Sequence, residues 1–329
     1  MTAGSASTSP QTRAGHEMVP GERSRSYYGR GIINAPVWTW EIPTYFFAGG
    51  LAGAASLITA AAQATGNTPL ARAAGRIATG AALASPPLLI SDLGRPERFH
   101  HMLRVLKPSS PMSLGSWLLA GFSTAQTGAT ALAELGRLPR LQRLAQAVAA
   151  ALAPMMTTYT AVLISDTAVP VWHEARGQLP WLFAGGAVAS AASACVLLVP
   201  DDDAGAVRRL AMVGCVCEVV VSEIMERHLG ELAAPYGQHP AGTWSTAAST
   251  LTAVGAALLA VSGRLGRLRR TANVAGALAT LAGAFAERWA VFRAGEASAD
   301  DPAHTVDPQR RRADALRSRT DQPVEPGRL

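Results

Sequence analysis

IPTYFFAGGLAGAASLITAAAQATGNTPLA, residues 42–71, contains no Asp, Glu, Lys or Arg, and the same holds for 108–133, 144–165, 177–200 and 232–263. About 20 apolar residues cross a hydrocarbon core of ~30 Å, so each stretch is long enough for a bilayer helix. The chain of 329 residues is only 16% charged, against about 25% in soluble domains. The charges it has are bunched between apolar stretches, leaving no polar surface for a soluble fold of this size. The expected fold class is all-α and polytopic in the membrane; a compact soluble enzyme is excluded.

Working outward, the pattern predicts eight transmembrane helices, at roughly 42–64, 71–93, 112–134, 144–166, 180–199, 206–227, 243–263 and 270–292. Pro86 and Pro87 predict a kink in the second. Alanine and glycine dominate throughout, as in membrane helices that approach closely. Two echoes suggest two related four-helix bundles. Pro43 and FFAGGLAGAAS are followed later by Pro180 and LFAGGAVASAAS, and Ile90-Ser91-Asp92 with Pro96 parallels Ile164-Ser165-Asp166 with Pro170. The expected organisation is a polar tail at 1–36, bundles at 37–166 and 167–294, and a polar tail at 295–329.

The net charge of +6 comes from 29 basic residues, all Arg except Lys107, set against 23 acids. The arginines sit in short clusters between apolar segments, where they read as headgroup anchors, so nucleic acid is not an expected partner. Cys195, Cys215 and Cys217 are too few and too badly spaced to hold an iron–sulfur cluster. The seven histidines all fall in tails, loops or helix ends, so a pair clamping a haem mid-membrane is not expected. The first 35 residues lack the apolar core of a cleavable signal peptide, and the first apolar helix is expected to direct insertion.

With eight spans both termini share one face. The ionisable residues within or beside the spans (Glu41, Asp92, Asp166, Glu218, Glu223, Glu226, Arg227, Glu287 and Arg288) fall in the half nearest that face. Intramembrane acids are costly and usually face a bundle interior or cavity, so this lopsidedness predicts a polar pocket near one surface. Glu218, some two turns inside its helix, favours a functional reading, and Glu223 and Arg227 have ion-pair spacing. Tyr159 and Asp166, seven residues apart, lie on nearly one helix face. A buried phenol there donates to a carbonyl oxygen while the shallower carboxylate passes protons to it; the alternative is an interfacial tyrosine beside a capping aspartate.

The run DLGRPERF (92–99) with MLRVLKPSSPMSLGSW (102–117) resembles the NrfD/PsrC-like family of integral membrane subunits in polysulfide-reductase-type respiratory complexes. WTWEIPTYFFAGGLAG (38–53) and YTAVLISDTAVPVWHEAR (159–176) are similar to that family's first helix and to its fourth helix with the following loop. The resemblance implies a subunit without haem or cluster of its own, placed in the plasma membrane. It would bind a quinone of the menaquinone or ubiquinone type near one surface and receive electrons from a ferredoxin-like iron–sulfur subunit that docks a molybdopterin catalytic subunit. Tyr159 matches the family's fourth-helix quinone tyrosine. Where other members carry a histidine and an asparagine near the start of the first helix, this chain has Trp38, Trp40 and Glu41. On this reading Tyr159 donates to the quinone, Asp166 or Glu41 supplies protons, Trp40 and Tyr45 line the ring, and Asp92, Glu218 and Glu223 serve proton transfer. A secondary transporter and a purely structural membrane anchor stay open as alternatives, as do proton pumping and the orientation in the membrane.

Overall fold

The computed structural model describes Ile33, residues 36–301, His304 and Val306; the expected tails lie largely outside these residues. Among them the regular structure is entirely helical. Eight long helices stand where the sequence places them: α1 (Glu41–Ala64), α2 (Thr68–Ser91), α3 (Pro111–Leu135), α4 (Pro139–Ser165), α6 (Leu179–Leu198), α7 (Gly205–Leu229), α8 (Ala241–Ser262) and α9 (Arg269–Asp300). A short helix, α5 (Pro170–Glu174), lies between α4 and α6.

Local chemistry sets the ends. Proline occupies the first turn of α2, α3, α4, α5 and α6, where its missing N–H is no loss. Asn67 accepts from the Leu70 N–H at 3.1 Å at the start of α2, and Gly136, at φ 62°, closes α3. Helix α2 runs unbroken through Pro86 and Pro87; the sharp bend comes after it, where the chain turns by 112° into the 3-10 segment Pro96–Leu103.

Four of these helices, α1, α4, α6 and α8, are long and apolar enough to cross a membrane, and α2 with its bent 3-10 extension is a fifth when the pair counts as one span. Helices α3, α7 and α9 are as long but less apolar. Helix α7 shows where its polarity goes. Val213, Val216, Val220 and Ile224 are exposed in a stripe at helical spacing, while Glu218 on the other side is buried.

Helices α1 to α4 pack in chain order, with α4 returning against α1; α6 to α9 do the same, with α9 returning against α6. The two sets meet mainly where α1 and α4 touch α6. The echoed segments face each other there. Phe46 and Phe183 have ring centroids 5.9 Å apart, and a Cβ on Gly50 would lie 3.2 Å from Ala187 Cβ. Both pairs keep the offset between Pro43 and Pro180.

The core has two layers. One is alanine-rich, with Ala54, Ala55, Ala74, Ala191 and Ala192 fully or almost fully buried. The other is aromatic and lies where α1 and α6 begin and α4 ends, with Tyr45, Phe46, Trp172, Phe183 and Phe292. Trp172 on α5 is fully buried, donates through Nε1 to the Val291 carbonyl at 2.8 Å and stacks on Trp38 at 6.0 Å. Docking of α5 also explains why α9 runs past the expected boundary at 294. Gly295, Ser298 and Ala299 are buried, and Ser298 Oγ accepts from the Val171 N–H at 3.2 Å.

Candidate functional site

The aromatic layer holds two phenols in contact. Tyr45, in the second turn of α1, is fully buried; Tyr159, in the last two turns of α4, is partly exposed. Their hydroxyls are hydrogen-bonded to each other, and their rings meet edge to face with centroids 6.4 Å apart. Helix α3 crosses directly over Tyr159. A Cβ at Gly115 would lie 2.2 Å from Tyr159 Cε2, so only glycine lets the ring sit there.

Above this pair, toward the start of α1, lies a small polar cluster. Thr39 donates its N–H to Asp92 Oδ1 at 3.2 Å and its hydroxyl to Glu41 Oε2, so one threonine joins both carboxylates. Glu41 precedes Tyr45 by four residues and therefore shares its helix face. The hydrogen bonds therefore form two groups, Asp92–Thr39–Glu41 and Tyr45–Tyr159, joined along α1 by the spacing of Glu41 and Tyr45.

A second polar cluster is built on α6, α7 and α9. Glu218, Glu287 and Arg288 are 3%, 7% and 2% exposed. Arg288 donates Nη2–H to the Phe183 carbonyl at 2.8 Å and lies 4.0 Å above the Phe183 ring. Neither carboxylate oxygen of Glu218 has a hydrogen-bond partner, nor do Arg288 Nε and Nη1. They converge on Gly186: a Cβ there would lie 2.7 Å from Glu218 Oε1 and 2.9 Å from Arg288 Nη2. A cavity of about 280 Å³ between α7, α8 and α9 reaches Glu218 and Glu287 and is lined further by Glu223, Glu226, Ser222 and Ser249. Below α7, the buried Tyr236 hydroxyl lacks a partner. Burial, with Glu287 and Glu226 nearby, holds that phenol well above its ordinary range, so it stays protonated.

Of the residues singled out from sequence, the fold joins Tyr45 to Tyr159 and Glu41 to Asp92, and places Glu218 and Glu223 on one cavity. It separates others. Asp166 caps α4 and is exposed, and the hydrogen-bond partner of Tyr159 is Tyr45, not Asp166. Trp40 is 57% exposed, while Trp38 is the tryptophan that turns inward. Glu223 pairs with Arg227 at 2.8 Å. The two polar clusters are divided by Phe46 and Phe183, through which no hydrogen bond can pass. The structure adds Arg288, Glu287, Tyr236 and Gly115. The first two are visible in sequence as adjacent charges inside an apolar run; a partner for a lone glycine has no sequence signal.

The family described as Polysulphide reductase, NrfD matches residues 31–201, just over half of the chain. No curated protein matches it.

Proposed function

We propose, for this chain that belongs to the NrfD family, that it binds a quinone at the Tyr45–Tyr159 pair and exchanges electrons with an iron–sulfur partner. The coarser identity stands on the family: a multi-pass membrane subunit of a respiratory oxidoreductase complex. The finer architecture is eight spans in two four-helix bundles within the plasma membrane. It is supported by the outward valine stripe of α7 and by the contacts between echoed residues of α1 and α6. The partner subunits in this reading are a ferredoxin-like protein and a molybdopterin enzyme.

The observation that carries the reading is a pair of hydrogen-bonded phenols, one on a partly exposed tyrosine and one on a buried tyrosine. Such a pair fits a quinone carbonyl: Tyr159 is the member nearer the surface, and Tyr45 fixes its hydroxyl. A bound quinone supplies two-electron, two-proton chemistry. The chain supplies position and protons. Tyr159 Oη donates toward a carbonyl oxygen, Tyr45 returns a proton across the shared hydrogen bond, and Glu41 with Asp92 holds protons one turn nearer the surface. Exposed Trp40 is free to close over a ring at the same helix start. Asp166, at the exposed end of α4, stands apart from this pair and takes no part in the reading. Glu218 and Glu223, on their own cavity, form a separate proton-holding pocket. No haem and no cluster belongs to this chain in this reading. The test is Tyr159→Phe in the assembled complex. Quinol turnover is expected to fall by about two orders of magnitude with subunit composition unchanged; full turnover sinks the assignment.

A further inference from the structure

A second cavity, of about 500 Å³, opens at the opposite end of α1 to α4, where α1 and α3 finish and α2 and α4 begin. Arg72, Arg137 and Arg143 line it. The one carboxylate in its lining, Glu134, is already held by Arg76 through hydrogen bonds of 2.8 and 3.1 Å. Among the described residues, none of the three lining arginines has an ion pair; Arg143 donates through Nε only to the Pro139 carbonyl of its own helix, at 3.4 Å. The cavity therefore gathers three guanidiniums, of which Arg72 also lies beside Glu134, and the first turns of α2 and α4 add their N-terminal ends.

The surroundings identify the class of anion. Leu135, Leu138, Leu141 and Leu144 are 65%, 62%, 49% and 61% exposed on the hairpin between α3 and α4, interleaved with Arg137, Arg140 and Arg143. In water this is an unfavourable apolar surface. At a bilayer boundary the leucines reach hydrocarbon while the guanidiniums stay at the depth of the phosphates. Leu138 stands at φ 49°, a left-handed conformation that costs a leucine energy and turns it outward at the hairpin tip.

We propose that this cavity binds the phosphate headgroup of an anionic phospholipid, held by Arg72, Arg137 and Arg143. Guanidinium forks match phosphate oxygens in pairs, and a groove between helices at headgroup depth offers the acyl chains the leucine-covered flank. The site is independent of the quinone reading and stands or falls without it.

The test is native mass spectrometry of the purified full chain with dioctanoyl phosphatidylglycerol, using dioctanoyl phosphatidylcholine and inorganic phosphate as comparisons. The wild type is expected to retain one phosphatidylglycerol in preference to phosphatidylcholine. R72Q/R137Q/R143Q should weaken retention at least about tenfold, and R72K/R137K/R143K, which keeps the charges but loses the paired forks, should fall between that variant and the wild type. R209Q/R264Q/R267Q removes as much charge away from the cavity and its hairpin and should change nothing. Equal losses in the two glutamine variants, or none in either, would overturn the site. Inorganic phosphate binding as well as the lipid would overturn its assignment to a lipid.

Discussion

Gly115→Ala offers a direct test of the phenol pair, because it leaves every chemical group of the site in place. The added methyl would sit 2.2 Å from Tyr159 Cε2, 2.8 Å from Cζ and 3.0 Å from Cδ2. Carbon atoms settle at about 3.5–4.0 Å, so ring and helix must separate by more than about 1 Å. The ring is hemmed in by α1 through Tyr45, and overpacking of this kind costs about 1–3 kcal/mol. Displacement of the phenol also strains its bond to Tyr45, which contributes about 0.5–1.5 kcal/mol. A misplacement of about 1 Å at a reacting group lowers rates by up to about a hundredfold. The expected result is an assembled complex with a slightly lowered thermal midpoint and quinol turnover reduced between about tenfold and a hundredfold. Gly128→Ala, on the same helix with nothing within 4 Å of the added methyl, should leave both values unchanged. Turnover of the Gly115 variant within about twofold of wild type would refute the claim that the placement of Tyr159 matters.

Arg288 is the cation buried beside Glu218 and Glu287 and bonds the Phe183 carbonyl, so R288Q should destabilise by about 1–3 kcal/mol, and E218Q/R288Q should recover part of that loss in denaturation. Additive losses would show that the two side chains do not interact. Arg270 donates to the carbonyls of Val196, Leu197 and Val199 at the end of α6, so R270A should lower stability by about 1–3 kcal/mol. R76A removes a solvent-exposed pair between α2 and α3 and should lower the thermal midpoint less than R270A does; the reverse ranking would contradict this account.

Much of the fold is legible in the linear pattern because each helix is a local event. An apolar run, a proline in its first turn and a Gly or Asn beyond its end locate α1 to α3 from nearby residues alone, and α4 lies between Pro139 and Pro170. The short α5 escapes that reading. Five residues, one of them a tryptophan, carry no period, and contacts with α9 and Trp38 hold them in place. The extension of α9 to Asp300 escapes it too, since small residues that look like a polar tail become helical once α5 covers them.

The candidate site divides the same way. By itself the sequence determined that acids and tyrosines gather toward one end of an apolar bundle, because charge is costly in hydrocarbon and its position along each span is a matter of counting. Which of them touch was decided by the tertiary structure. Helical periodicity paired Tyr159 with Asp166 on a single helix, whereas the packing of α1 on α4 gave the phenol Tyr45 and left Asp166 outside. The same packing set Phe46 and Phe183 between the tyrosines and Glu218, and turned Trp40 outward. The physical reason is range: spacing fixes neighbours within a helix, while contacts between helices depend on crossing points that small residues such as Gly115 and Gly186 allow.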